Sequence, residues 1–345
     1  VERNAAQLEA ALEGCNTDPQ SRRFLQIFAQ QHPAEFFEAA TARIDLRTGL
    51  PGERFLAGLL LRQQYFFEIL TDPARLSLRT ATRIFRNLLT FDATLDFRLA
   101  RMLPGRGDSS TGKILQGASA VRAIDILDRT SQGQKVLSLV GHLPNHADPA
   151  LSAKASLFVG RRLDSPAWVA KQMVHEDPRV RANVMESSWG RKSKDTVRLM
   201  ADCLEDANNR VAGNALVGLH LAGSPDVVER ALAMSRSDDP ALRSTVAWAM
   251  GKIGDPAFLP RLTELMKDSA ASVRSTTVRS LVEIGRAESR KAAEKKAAAQ
   301  AEEAARRRAE EAANRLKTKD PESEEYPEVT FALRLDGSSF AAGKG

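Results

Sequence analysis

The feature that most constrains this chain is a step of constant length that recurs through its second half. Val180-Arg181, Val211, Leu242-Arg243 and Val273-Arg274 each open a segment, closing at Trp189-Gly190, Ala222-Gly223, Ile253-Gly254 and Ile284-Gly285, and successive openers are spaced 31 apart. An earlier copy, Leu151 to Gly160, precedes Val180 by 29. The same step holds in the second half of each unit. Val169, Met200, Ala231 and Leu262 share one register, and Cys203, Met234 and Leu265 another. A fixed step of this size marks supersecondary units stacked along a line, not a chain closed around one core.

Each unit reads as two helices. In the first, Leu242, Val246, Ala249, Met250 and Ile253 recur at threes and fours and form one apolar stripe. In the second, Phe258, Leu259, Leu262, Leu265 and Met266 do the same. Asp-Pro pairs at 177–178, 239–240 and 255–256 stand where helices should begin, because Asp accepts from free first-turn amides and Pro suits the first turn. Gly190, Gly223, Gly254 and Gly285 are expected to close the first helices in a left-handed conformation. One hairpin cannot hide its own apolar face, so neighbours must stack.

This pattern resembles HEAT repeats, of the short variety of about 30 residues also seen in phycobilisome bilin-lyase-like proteins. The residues that carry the resemblance are Asp239-Pro-Ala-Leu-Arg243 with Ala247-Trp-Ala-Met-Gly251 and Asp255-Pro256, their counterparts Asp177 to Arg181, and Val273 to Gly285. It implies an all-α, right-handed α-solenoid of stacked helical hairpins. Two departures interrupt an Asp/Arg ladder between neighbours. Arg210 is out of register with Arg181, Arg243 and Arg274, and the Asp-to-Arg spacing lengthens from four to six between Asp268 and Arg274.

Upstream, Lys113 to His142 reads as one degenerate pair, with Phe24 to Phe28, Phe55 to Leu70, Leu76 to Leu89 and Leu95 to Leu103 as irregular helical pieces of the same stack. Downstream, Arg286 to Lys319 is almost wholly Ala, Glu, Lys, Arg and Gln, without Pro or Gly, and predicts a solvated charged helix. Glu302→Arg306, Glu303→Arg307 and Glu311→Arg315 are placed for pairing four apart. Beyond the acidic hinge Asp320 to Glu325, Val329, Phe331, Leu333 and Leu335 alternate with polar or small residues, a strand pattern that resembles the opening of a β-rich or von Willebrand A-type domain. The expected organisation is therefore 1–112, irregular hairpins continuing the solenoid; 113–286, the repeat array; 287–326, a charged linker; and 327–345, the first strand of a truncated β domain. With Val1 at one end and a strand-like pattern broken at Gly345, the chain reads as a piece of a longer protein.

Composition removes several function classes. The net charge of +6 is modest for 345 residues and does not demand a nucleic-acid partner. Cys15 and Cys203 build neither a disulfide framework nor a four-ligand zinc site and fit a reducing, cytoplasmic setting, with export left open. The longest dense apolar stretch, Phe55 to Leu61, is far short of the ~20 residues that cross a bilayer.

The candidate chemical motifs read as structural. Gly107 to Lys113 resembles a phosphate-cradling loop, but Ile114 stands where a magnesium-binding hydroxyl is needed and a helix precedes it where a strand is required. His142 and His146, with Asp148 following, are spaced for a metal on one helical face, but Pro144 interrupts that helix. His175-Glu176 resembles one half of the paired His-Glu ligands of HEAT-fold deoxyhypusine hydroxylases, and no second His-Glu pair occurs. Trp168, Trp189 and Trp248 fit core positions or aromatic platforms. Positive charge concentrates early in the array, with ten Lys and Arg against five Asp and Glu over 151–200 and four against seven over 201–250.

The resulting expectation is a non-catalytic scaffold or adaptor without cofactor or metal, presenting an extended surface to another protein. The second helices are expected to line its concave groove, placing Trp168, Lys171, Arg198, Arg230 and Arg261 as candidate contact residues. A bilin-lyase-like or other HEAT-fold enzyme, and nucleic-acid binding through a basic concave face, are the alternatives.

Overall fold

The computed structural model describes residues 2–44, 49–63, 65–105, 114–131 and 134–317. Helices are the regular structure of the described residues, with no β-strand among them. The phosphate-loop-like segment 107–113, the acidic hinge 320–325 and the strand-like segment 327–345 lie outside the described residues. The chain divides into two units, Val1–Ile284 and Gly285–Gly345.

The first unit begins with α1 (Glu2–Gly14), α2 (Pro19–Gln31), α3 (Pro33–Arg43), α4 (Pro51–Arg62), α5 (Phe66–Thr71), α6 (Leu78–Leu89) and α7 (Leu95–Arg101). The single helix expected from Phe55 to Leu70 is two. The chain turns after Arg62, which swings Phe66 and Phe67 into the interior beside Phe37 and lets the Tyr65 hydroxyl donate to the Ala29 carbonyl. Local periodicity continued the helix; burial of two adjacent rings stopped it.

The regular stack comes next. Its first helices are α8 (Gly117–Thr130), α10 (Pro149–Arg162), α12 (Pro178–Ser187), α14 (Asn209–Ala222) and α16 (Pro240–Ile253). Its second helices are α9 (Gln134–Val140), α11 (Pro166–Met173), α13 (Lys194–Asp202), α15 (Val227–Met234) and α17 (Leu259–Leu265), and α18 (Ala271–Lys317) begins a further unit. The caps are those expected from the sequence. Asp177 and Asp239 accept from first-turn amides, as do Asp148 and Asp255, each with Pro in the first helical turn.

The apolar interior runs on from pair to pair. An N-terminal core that includes the fully buried Phe36, Phe66 and Phe85 meets a small cluster around Val169 and Val180 through Trp168. That cluster meets the C-terminal core around Leu216 and Met250 through Met173 and Leu199. Each unit therefore seals the one before it, which is how short helices without large cores become stable.

Gly190, Gly223 and Gly254 take the expected left-handed conformation, at φ +81°, +86° and +72°. Gly285 does not. It lies inside α18, which runs unbroken from Ala271 to Lys317. The neighbouring sequence makes the difference. Ser224-Pro225 and Asp255-Pro256 come after Gly223 and Gly254 and start a new helix, whereas strong helix formers come after Gly285. Gly285→Ala should therefore favour the helix by about 1 kcal/mol, read as slower amide exchange around residue 285. Gly254→Ala should have the opposite sign, since alanine is strained at that φ.

In the second unit the helix continues with exposed side chains as far as residue 311. Glu303 pairs with Arg307 as its spacing suggests, whereas Arg306 pairs forward with Glu310 at 3.0 Å, not back with Glu302.

Candidate functional site

The first helices form the closely packed layer of the stack: α10 lies along α12, α12 along α14 and α14 along α16, while second helices touch their successors far less. Close approach requires small residues. A Cβ on Gly160 would lie 2.6 Å from Ser187 Cβ, one on Gly213 2.4 Å from Thr245 Cγ2, and one on Gly251 2.8 Å from Ser280 Cα. A polar row crosses the same layer, one residue per unit: Asn183, Asn214, Thr245 and Thr276. The Asn183 and Asn214 amides each donate to a carbonyl of the preceding first helix, Ala153 O and Ala182 O, at 2.7 Å. Threonine is too short for that reach, and the Ser244 and Thr276 hydroxyls meet each other instead at 3.0 Å.

Where the row changes to threonine, a groove of about 560 Å³ opens, lined by Asn214, Thr245, Trp248, Gly251, Thr276 and Ser280, with Glu186, Arg210, Lys252, Arg279 and Glu283 also on its walls. Trp248 is half-buried there. Its ring lies 6.5 Å from that of Trp189, whose indole N–H donates to Asn214 O at 2.8 Å. The groove thus offers an aromatic face, hydroxyls, and charges of both signs.

The five candidate contact residues of the second helices lie in different surroundings. Arg198 and Arg230 do line one depression, with Lys192, Lys194 and Asp226, and Trp168 and Lys171 line another. Arg230 is held by Asp226 at 2.6 Å, and hydrogen bonds from Arg230 and Ser224 keep that carboxyl below its usual range. Arg261 belongs to neither depression. It is largely buried and binds backward, through Nε to Ser235 Oγ at 2.9 Å and through Nη2 to Ser235 O at 2.8 Å, with Nη1 on Glu264. The five residues do not form one cationic row, and Arg261 is a strut between units.

Between units, the arginines and the metal-like histidines have structural tasks. Two residues before each cap, a side chain accepts from the cap residue's own N–H: His146 Nδ1 and His175 Nδ1 at 3.0 Å, then Asp206, Ser237 and Asp268. His146 and His175 are thus loop acceptors, and no group of three or more His, Cys, Asp or Glu able to hold a metal occurs among the described residues. Arg181 and Arg243 each place Nη1 on two carbonyls of their own loop and turn Nε and Nη2 onto an aspartate of the next unit, Asp206 or Asp268, at 2.8–3.0 Å. In the unit between, Ala212 replaces the arginine and Ser237 the aspartate, so both partners are missing together. Asp268 is therefore the counterpart of Asp206, not of the capping Asp177 and Asp239, which removes the apparent lengthening of spacing before Arg274.

Hydrogen bonds from Arg243 bring the Asp268 carboxyl down to about 2. Burial opposes the charge of Asp206, but the bonds from Arg181 and the Asn208 amide outweigh it and hold its carboxyl below the usual range. Burial, with help from the Asp206 and Asp202 charges, pushes the Cys203 thiol up to about 11. It is a packed side chain at a core position, as its register indicates.

Paired helices stacked through their first members, with arginine–aspartate ties between layers, define an α-helical repeat protein. Residues 196–281 and 231–314 match the family described as HEAT repeats, and the chain is a HEAT-repeat protein over that span. Among solved structures it is similar to human deoxyhypusine hydroxylase in complex with glycerol, at 14% identity and a TM-score of 0.31, covering 75% of this chain and 99% of that one. No curated protein sequence matches it. No described helix is long and apolar enough to cross a membrane.

Proposed function

We propose that this protein is a non-catalytic scaffold that holds a segment of another protein in the groove along its first helices. The observation that carries the reading is the groove itself. Trp248 supplies rigid apolar area, Thr245, Thr276 and Ser280 supply adaptable hydrogen bonding, and Arg210 and Glu186 supply charges of opposite sign. An aromatic anchor ringed by polar groups is the usual composition of a protein-binding surface. Binding is favoured over a bilin-lyase-like or other enzymatic role because the groove lies along the surface of packed helices and brings together no nucleophile, base and orienting group. It is favoured over nucleic-acid binding because acidic groups share the walls with the basic ones, where a phosphate backbone needs a continuous positive track.

A displayed random-peptide library selected on the intact protein tests this. Enriched peptides should bind the wild type saturably and lose at least tenfold in affinity on Trp248→Ala, with Arg230→Ala nearly without effect. No enrichment, or peptides that bind Trp248→Ala equally well, would remove the proposal.

A further inference from the structure

Among the described residues, the last layer of the stack leaves apolar side chains exposed that are covered in earlier layers. Met185, Leu216, Ala247 and Val278 hold the same place in successive first helices; the first three are fully buried at 0% exposure, and Val278 is 51% exposed. One position just beyond the ends of the second helices behaves the same way: Leu204 and Ser235 are buried, and Met266, at the same register, is 39% exposed. Val282, one turn beyond Val278, is 47% exposed. In earlier layers the next unit covers these positions.

Charge marks the same face. Arg274 repeats the first half of the geometry of Arg181 and Arg243, its Nη1 donating to Asp268 O and Ser269 O at 2.8 Å. The other half is missing. The position that corresponds to Asp206 for Arg181 and to Asp268 for Arg243 is Ala299, and no carboxylate pairs with Arg274 among the described residues. A guanidinium with one edge fixed by backbone presents its Nε–Nη2 edge in the geometry that takes a carboxylate bidentately.

We propose that this face, made by Arg274, Val278, Val282 and Met266, docks one further two-helix unit supplied by a partner protein, whose interhelical loop brings an aspartate or glutamate onto Arg274. The carboxylate requirement sets the register, because pairing at Arg274 aligns the incoming apolar stripe with Val278 and Val282 as Asp268 on Arg243 aligns α18 with Ala247. The site is separate from the groove at Trp248.

The probe is a fluorescent peptide with the sequence of residues 255–286, in which α17, the loop that carries Asp268 and the start of α18 follow one another, titrated into the intact protein by anisotropy. Binding should fall at least tenfold on Arg274→Glu, and equally when the peptide carries Asp268→Arg. Affinity should return when an Arg274→Asp protein meets the Asp268→Arg peptide, while Trp248→Ala leaves binding unchanged. A second measurement covers a peptide too short to fold: residues 255–285 are duplicated directly after Gly285, and amide exchange over 272–282 is compared with the unextended chain. Slower exchange that Arg274→Glu abolishes supports the proposal. No Arg274-dependent effect in either assay overturns it, as does peptide binding seen only after removal of residues 318–345, which would make the chain's own acidic segment the occupant.

Discussion

Arg243→Ala is expected to lower the stability of the repeat array, seen as a lower urea midpoint with little change in slope. The side chain is 14% exposed and its partner Asp268 8%, so its removal leaves a carboxylate with little solvent and without its bidentate partner, and two loop carbonyls without their donor. Asp268→Ser should be nearly as costly for the mirror reason. The molecule contains its own control, since the layer with Ala212 and Ser237 is built without the pair. Arg243→Ala with Asp268→Ser copies that layer, and the double variant should be less destabilised than the two singles added together by at least about 1 kcal/mol.

The same pair sets an acid limit. Asp268 has its folded-state carboxyl depressed to about 2, below its unfolded value near 4. Its contribution is therefore fully present above the unfolded value and is lost as pH falls from there through 2. The wild type should lose stability over that window, and Arg243→Ala should lose less, because its Asp268 no longer differs as much between the two states.

Gly251→Val is expected to cost roughly 3 kcal/mol, by overpacking. Atoms of Ser280, including its Cα, sit within 2.8 Å of where a Cβ would stand, so α18 itself must move away from α16. The gain from replacing a mid-helix glycine is about 1 kcal/mol and does not offset this. A thermal melt separates the two effects: Gly251→Val should lower the midpoint, while Gly285→Ala, with no atom within 4 Å of its added Cβ, should not.

Much of the fold was legible in the sequence because its determinants are local. Asp177-Pro178 and Asp239-Pro240 start their helices, since the side chain and the amides it caps are two or three residues apart. The register Val169, Met200, Ala231, Leu262 is buried at 0% throughout, because a constant step repeats one environment. The candidate site was less legible. The row Asn183, Asn214, Thr245, Thr276 and the mid-helix Gly213 and Gly251 were signals for it, but a polar row inside an amphipathic helix can face a neighbour or water. Arg261 shows the same ambiguity in reverse: off the apolar stripe it reads as a surface cation, yet its partner is Ser235, in the preceding unit.

By itself the sequence determined that helices pair, repeat and stack, and where most of them begin, because caps, prolines and apolar stripes act within a few residues. The tertiary structure alone decided which layer closes up, which arginines become ties, and that Val278 is left uncovered. Those outcomes depend on which surfaces meet across a whole repeat of chain, and no local preference encodes the distance between two helices.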